Sequence, residues 1–261
     1  MPSATINDFR IHYERGGQGP LLVLLHGISS SARVWQHQLQ ALASDYDVVA
    51  WDMRGYGSSS DPLQEYTIED LCSDLAGMLD HVGFEKAHLG GISMGGLLAL
   101  DFYRRHPQRV HSLILADTNA GQATVEESER QRRQEQRLAV ASEPGGFARQ
   151  RTPSMLSPEP SEEVLAEAEA IMAEIHPDGY RLAAKALADA DERDVLPSVS
   201  VPTLVVWGEF DAVISREEVD ELAASIPGAQ LEIIPGAGHL SNLENPEAFN
   251  AALRRFLSAL G

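Results

Sequence analysis

The sequence predicts an α/β fold: a mostly parallel sheet with helices on both faces, and a helical cap inserted between two core strands. First, short apolar runs of strand length alternate with amphipathic stretches of helical length. Second, these apolar runs lack a polar residue at every other position, which is typical of parallel strands covered on both faces. Third, the alternation stops between residues 121 and 196, where only helical patterns occur.

The predicted strands follow one another along the chain, each bounded by turn residues or by a helical stretch. The chain opens with a hairpin, because two short β-type runs are separated by Asn7 and Asp8. The later runs are rich in leucine and β-branched residues. Strands are predicted at residues 4–6, 9–13, 21–25, 47–51, 87–90, 110–116, 203–207 and 231–234.

The core helices are predicted where apolar residues recur at helical spacing between these strands. Thr67 precedes one such stretch and is a suitable N-cap, because its hydroxyl can accept a hydrogen bond from an unpaired amide of the first turn. Core helices are predicted at residues 32–43, 68–82, 94–105, 216–224 and 246–260.

The long insertion contains glutamate, arginine, glutamine and alanine in helical patterns, and strand-like runs resume only after Pro202. We interpret residues 1–120 and 197–261 as the core and residues 121–196 as the cap. Helices are predicted in it at 126–141, 161–175 and 180–190. Its charged stretch at 126–137 could bind a partner, but mixed charges on a helix are more typical of a solvated face.

The charge and composition exclude several classes of protein. The chain has 39 acidic and 20 basic residues among 261, a net charge of −19, which is the wrong sign for binding nucleic acid or an anionic membrane. The longest apolar run, Leu21–Leu25, is far shorter than the roughly 18 residues of a membrane span. The start of the chain lacks a signal-peptide pattern, and the single cysteine, Cys72, lies in a helical stretch where burial is expected. We predict a cytoplasmic protein.

A glycine-flanked serine, Gly91-Ile92-Ser93-Met94-Gly95, lies between a predicted strand and a predicted helix. Glycines permit a tight turn there, which would expose the hydroxyl of Ser93 at the edge of the sheet. The helix that begins at Met94 would direct its positive end at this serine. Ser93 is therefore a candidate nucleophile, and the alternative is a serine that only caps the helix.

Two further residues complete the requirements of a serine nucleophile. Asp211 follows the strand predicted at 203–207, and His239 follows the strand at 231–234. Loops at the carboxyl ends of parallel strands open on one edge of the sheet, so the two residues can meet Ser93 there. His239 would accept the serine proton, and Asp211 would orient the imidazole. Each residue alone has a structural alternative, and the combination favours catalysis.

An oxyanion hole needs two amide donors near the serine. The amide of Met94, directly after Ser93, would supply one, and the amide of Ile28, in the loop after the strand at 21–25, would supply the other. His26 could act as a second base. Its place at the end of that strand instead favours a role in bracing the loop by hydrogen bonds.

Together these residues resemble the α/β-hydrolase fold family along essentially the whole chain. The resemblance implies that Asp52 and Arg54 belong to a structural turn and that the cap closes over the active site. Ser93 departs from the dehalogenase and epoxide hydrolase branches, which have aspartate there. The matching motifs are Leu24-Leu25-His26-Gly27, Asp52-Met53-Arg54-Gly55-Tyr56-Gly57-Ser58-Ser59, the serine motif, Gly208-Glu209-Phe210-Asp211 and Gly238-His239.

Three other stretches look most like 3-oxoadipate enol-lactonases and their relatives: residues 26–33, 115–118 and 184–191. This resemblance implies a small lactone or ester that carries a carboxylate, bound by a cation of the cap. The candidate cations are Arg149, Arg151 and Arg181, and each has the alternative of an ordinary surface residue. The expected enzyme uses no cofactor and no metal, and its partner is a small-molecule substrate.

Two other functions remain open from the sequence. The same three residues could hydrolyse a carbon–carbon bond, although residues 28–31 lack the glycine-rich extension that the compared carbon–carbon hydrolases have. The chain could also be a ligand sensor that retains the three residues and responds by moving its cap.

Overall fold

The computed structural model describes residues 2–121, 132, 143–188 and 190–261. Its described part contains an eight-stranded sheet with the order β1-β2-β4-β3-β5-β6-β7-β8. β1 pairs antiparallel with β2 and β2 with β4, and every later pair is parallel. The predicted fold class is therefore confirmed. The strands are β1 (Ser3–Ile6), β2 (Phe9–Gly16), β3 (Leu21–Leu25), β4 (Asp47–Trp51), β5 (Ala87–Ile92), β6 (Val110–Ala116), β7 (Thr203–Gly208) and β8 (Gln230–Ile234).

Apolar side chains cover both faces of the sheet. In β3, Leu21, Val23 and Leu25 belong to one hydrophobic core, and Leu22 and Leu24 belong to the other. This division follows from the alternation of side chains along a strand, and it explains why the run is apolar without interruption. The helices that flank the sheet outside the insertion are α1 (Gln36–Leu42), α2 (Ile68–Val82), α3 (Met94–Arg105), α7 (Arg216–Ser225), α8 (Ser241–Glu244) and α9 (Pro246–Ser258).

The local sequence predicts some of these helix boundaries correctly and others incorrectly. Thr67 and Asp70 form a reciprocal capping box at the start of α2, which confirms the predicted N-cap. The helix predicted at residues 32–43 is instead a 3₁₀ turn, Ala32–Trp35, followed by α1. The amide of Ala32 donates to Asp52 Oδ1 at 2.7 Å, which fixes the first turn to a distant loop. The short helix α8 was not predicted.

The described part of the insertion is helical, with α4 (Pro144–Arg151), α5 (Glu162–Met172) and α6 (Pro177–Ala188). α5 and α6 correspond to the helices predicted at 161–175 and 180–190. α4 was not predicted, because Gly145 and Gly146 disfavour a helix. The helix predicted at 126–141 lies outside the described residues.

The insertion is attached to the core at its ends and along its length. Gly121 and Asp191 form an antiparallel bridge, which brings the two ends of the insertion together. A Cβ at Gly179, in α6, would lie 2.1 Å from the carbonyl oxygen of Gly55, so only glycine permits this approach. Ion pairs also cross the boundary: Arg33 with Glu174, His176 with Asp61 and Lys185 with Glu65. Among the described helices, none is both long and apolar enough to cross a membrane.

Candidate active site

Ser93 lies in a sharp turn between β5 and α3. Its backbone has φ 55° and ψ −120°, a conformation that non-glycine residues rarely adopt. The turn is held in place because the Ser93 amide donates to the Ala116 carbonyl at 2.9 Å, and Thr118 Oγ1 donates to the Ser93 carbonyl at 2.7 Å. The side chain of Ser93 is only partly buried and lines a cavity. The strained backbone agrees with the predicted turn, and the partly buried side chain reaches the cavity.

The glycines around Ser93 are required by close backbone contacts. A Cβ at Gly91 would lie 2.1 Å from the carbonyl oxygen of Gly95. A Cβ at Gly95 would lie 2.2 Å from the carbonyl oxygen of Leu25. Real Cβ atoms do not approach oxygen so closely, so both positions accept only glycine while this turn is kept.

Asp211 and His239 form a buried pair at the same edge of the sheet. His239 Nδ1 lies 2.8 Å from Asp211 Oδ2, and both side chains are almost fully inaccessible to solvent. Asp211 Oδ1 accepts hydrogen bonds from the amides of Val213 and Ile214, at 2.7 and 3.0 Å. The Asp211 carboxylate can therefore accept a hydrogen bond from Nδ1–H of His239, which leaves Nε2 unprotonated and able to act as a base.

Ser93 and His239 line the same cavity. Within the described part of the chain, Ser93 Oγ forms no hydrogen bond, and the Oγ to Nε2 bond of an activated serine is therefore not closed in this conformation. Catalytic hydrogen bonds are often long before a substrate is bound. The sequence-predicted residues thus meet at one site, with the His239 to Asp211 contact fully formed.

The two predicted oxyanion donors lie beside Ser93. Met94 is the first residue of α3 and directly follows Ser93. The loop that contains Ile28 passes close to the serine: a Cβ added at Gly27 would lie 3.2 Å from Ser93 Cβ, and Ile28 lines the same cavity as Ser93. Among the described residues, neither the Ile28 nor the Met94 amide has an acceptor. An unpaired amide at a helix N-terminus is suited to bind negative charge.

His26 braces the loop, as predicted, and does not reach the cavity. Its Nδ1 lies 2.8 Å from the Gly27 carbonyl, and its Nε2 accepts from the Met53 amide at 3.1 Å. Burial lowers the pKa of His26, which favours the neutral ring that this pair of bonds needs. The sequence-based alternative of a second base receives no geometric support.

Asp52 and Arg54 serve the structural turn that the resemblance implied. Asp52 accepts from the amides of Ala32 and Ser58, at 2.7 and 2.9 Å. Arg54 forms two hydrogen bonds of 2.6 Å with the buried carboxylate of Asp74. Neither residue lines the cavity.

The candidate arginines do not form a cation site in the cavity. None of Arg149, Arg151 and Arg181 is among the described residues that line it. Arg181 lies 3.3 Å from Asp178 at an exposed position, and Arg149 is exposed. Arg151 donates to Ser154 at 2.9 Å, and burial lowers the pKa of its guanidinium. The negative charge of Asp211 opposes this lowering of the Arg151 pKa, so the guanidinium is within electrostatic range of the buried pair. A cation of the cap that binds the substrate stays a prediction.

Asp117 is a buried residue of the site that sequence reasoning missed. Asp117 Oδ1 accepts from the Gly208 amide at 2.8 Å, and Oδ2 accepts from Ser241 Oγ at 2.5 Å and from the Ser241 amide at 3.2 Å. Gly208 begins the loop of Asp211, and Ser241 lies two residues after His239. Burial and the negative charge of Asp211 raise the pKa of Asp117 well above its usual value. Asp117 thus connects the loops that carry the buried pair.

The histidine loop is also bonded to the insertion. The His239 amide donates to the Met155 carbonyl at 2.8 Å. Glu244 accepts from the amides of Ser157 and Gly238, at 2.8 and 2.6 Å. The position of His239 therefore depends on the segment between α4 and α5, which no local sequence pattern indicates.

The fold and the residues at this site are typical of one family of proteins. A model of the alpha/beta hydrolase fold family matches residues 20–246, which is most of the chain, and the chain belongs to that family. The sequence is 33% identical over 260 residues to 3-oxoadipate enol-lactonase 2 of Acinetobacter baylyi, covering 97% of this chain and 96% of the relative.

Two solved structures have the same fold over nearly their whole length. A thermophilic esterase from Thermogutta terrifontis has a TM-score of 0.89 and 32% identity, with 99% of this chain and 98% of the other covered. An enol-lactonase from Burkholderia xenovorans LB400 has a TM-score of 0.89 and 28% identity, with 98% and 100% covered. These relatives cleave, by their names, ester or lactone bonds.

Proposed function

We propose that the chain is a serine hydrolase that cleaves a small ester or lactone through an acyl-enzyme on Ser93. The observation that carries the proposal is the buried hydrogen bond between His239 and Asp211, together with the fact that His239 lines the same cavity as the strained Ser93. The similarity to enol-lactonases and esterases supports the same type of bond.

Acylation begins with the attack of Ser93 Oγ on the substrate carbonyl carbon. His239 Nε2 accepts the serine proton, and the ionised Asp211 stabilises the imidazolium through Nδ1. The negative charge moves to the carbonyl oxygen, where the amides of Ile28 and Met94 donate to it, each worth roughly 3 to 4 kcal/mol. His239 then gives the proton to the leaving oxygen, and the acyl group remains on Ser93.

Deacylation repeats these steps with water. His239 Nε2 accepts a proton from a water molecule, whose oxygen attacks the acyl carbon, and the same two amides hold the second oxyanion. Collapse of this intermediate returns the proton from His239 to Ser93 Oγ and releases the carboxylic acid. The steps use only groups of this chain, water and substrate, so no cofactor or metal is part of the proposal.

Residues 121–196 act as a cap in this proposal, and residues 1–120 and 197–261 form the catalytic core. Met155, Ala168, Ile171 and Met172 of this insertion line the cavity together with Ser93. The cap would exclude water and shape the space next to the scissile bond. A cytoplasmic location belongs to the same proposal and is supported by the single, buried and free Cys72.

The test compares Ser93→Ala and Asp211→Asn with the wild type on 4-nitrophenyl acetate. Asp211→Asn keeps the shape but loses the charge that stabilises the imidazolium, so kcat should fall by about 10⁴-fold. Ser93→Ala should lower kcat by about 10⁶-fold, because it removes the nucleophile. Circular dichroism confirms that each variant is folded. Turnover that survives Ser93→Ala would exclude the mechanism, and a wild type that binds esters without turnover would favour a ligand sensor.

A further inference from the structure

The cavity beside Ser93 has walls that are largely hydrocarbon. Nine of the fourteen described residues that line it have apolar side chains. They come from the oxyanion loop and the 3₁₀ turn after it, from the end of β5, from the insertion and from the segment after His239, so apolar side chains of several separate segments share the cavity with the reacting serine. Six of these residues are Ile28, Met155, Ile171, Met172, Leu240 and Leu243.

The polar side chains of the same wall are small or belong to the proposed mechanism. Among the described lining residues, Ser29, Ser30, Ser93 and His239 are the polar ones, and none of them carries a permanent charge. An anionic group in this space would therefore lose its water without gaining a cation from the described lining residues.

We propose that the substrate group next to the scissile carbonyl is an uncharged hydrocarbon, and that the site discriminates against esters and lactones with a carboxylate there. This inference rests on the proposed function and names its substrate class. It departs from the carboxylated substrate that the resemblance implies. Transfer of hydrocarbon into such a space is favourable, by about fourfold in affinity for each buried methylene.

The test uses two pairs of isosteric esters, because either side of the scissile bond could enter the cavity. Ethyl 4-methylpentanoate and monoethyl succinate differ in the acyl group, where an isopropyl end replaces a carboxylate. Isobutyl acetate and the acetate ester of glycolate differ in the same way on the alcohol side. Acid release is followed by titration at constant pH, and kcat/KM is compared within each pair.

The hydrocarbon ester of at least one pair should react about 100-fold faster or more, because its partner would have to bury an unpaired charge. In neither pair should the carboxylated ester have the higher kcat/KM. A carboxylated ester that reacts faster than its partner in either pair, or equal rates within both pairs, would overturn the inference alone. Absence of turnover of every ester, 4-nitrophenyl acetate included, would overturn the proposed function and this inference with it.

A cation placed in the cavity provides a second measurement. Met172→Lys puts an ammonium group into the apolar wall, and it should shift the ratio toward the carboxylated ester by about tenfold or more. Met172→Gln has a similar length and no charge, and it is the matched control that should not produce this shift. Arg151→Gln and Arg181→Gln should leave the wild-type ratios unchanged. In either arginine variant, a fall in kcat/KM of the carboxylated ester relative to its hydrocarbon partner would contradict the inference, even if the Met172 variants fail to fold.

Discussion

Replacement of Asp117 by asparagine tests how the buried carboxyl contributes to stability. Asparagine keeps the shape and one acceptor oxygen, so the bond from the Gly208 amide is retained. The new amide nitrogen cannot accept from the Ser241 amide, and this buried donor loses its partner. At low pH, where Asp117 is protonated in the wild type, the variant should be less stable by about 1 to 3 kcal/mol.

The difference in stability should depend on pH in a defined direction. Burial and the negative charge of Asp211 raise the folded-state pKa of Asp117 well above the ordinary value of an aspartate in an unfolded chain. The folded state therefore holds a proton that the unfolded state has lost. Stability from this group is complete below the unfolded pKa and decreases as pH rises through the folded pKa, by up to about 1.4 kcal/mol per pH unit.

Asparagine does not titrate, so the advantage of the wild type over Asp117→Asn should shrink as pH rises. Urea unfolding, followed by tryptophan fluorescence between about pH 5 and about pH 9, measures both free energies. Asp178→Asn is the matched control, because the Asp178 side chain is 82% exposed and its replacement should produce no such trend. An advantage that stays constant, or grows, with rising pH would refute the reasoning.

Three further outcomes follow from buried contacts. Arg54→Met should destabilise the fold by about 3 to 5 kcal/mol in urea unfolding, since the fully buried carboxylate of Asp74 loses its positively charged partner and keeps only the hydrogen bond from Asn7. Adding Asp74→Leu should restore stability, and a single variant as stable as the wild type would contradict this. Gly179→Ala should lower the melting temperature, because its Cβ would collide with the Gly55 carbonyl. Gly145→Ala is the control for losing a helical glycine, because its Cβ would meet only Arg149 Nη1, at 3.7 Å. Burial raises the pKa of the Cys72 thiol, so a thiol reagent should react only on unfolding, and fast labelling of the native protein would contradict its burial.

The residues of the proposed mechanism were predictable because each is marked locally. Ser93, Asp211 and His239 each follow an apolar run that ends in glycine-containing turns, and parallel strands bring such turns to one edge. The class of fold was predictable for the same reason, since doubly covered strands are uninterrupted apolar runs. The structure adds the distances between these residues, with His239 and Asp211 in direct contact.

What the sequence did not reveal depends on contacts between distant segments. Asp117 accepts hydrogen bonds from Gly208 and Ser241, which lie 91 and 124 positions further along the chain. No pattern near Asp117 in the sequence indicates these partners. The helix α4 begins at Pro144 and continues through two glycines, where local preference opposes a helix and tertiary packing of Phe147 and Ala148 overrides it. The apolar cavity is similarly lined by segments that lie far apart in the chain, so no single run of the sequence marks it.

Labelling with a fluorophosphonate tests the central claim most directly, because it reports activation of the serine without the natural substrate. The wild type, Ser93→Ala and His239→Ala are treated in parallel, and the adduct is located by peptide mass spectrometry. The account predicts one adduct, on Ser93, in the wild type, with none in Ser93→Ala and a greatly slowed reaction in His239→Ala. An unlabelled wild type, or labelling of Ser93 that is unchanged in His239→Ala, would contradict activation of Ser93 by His239.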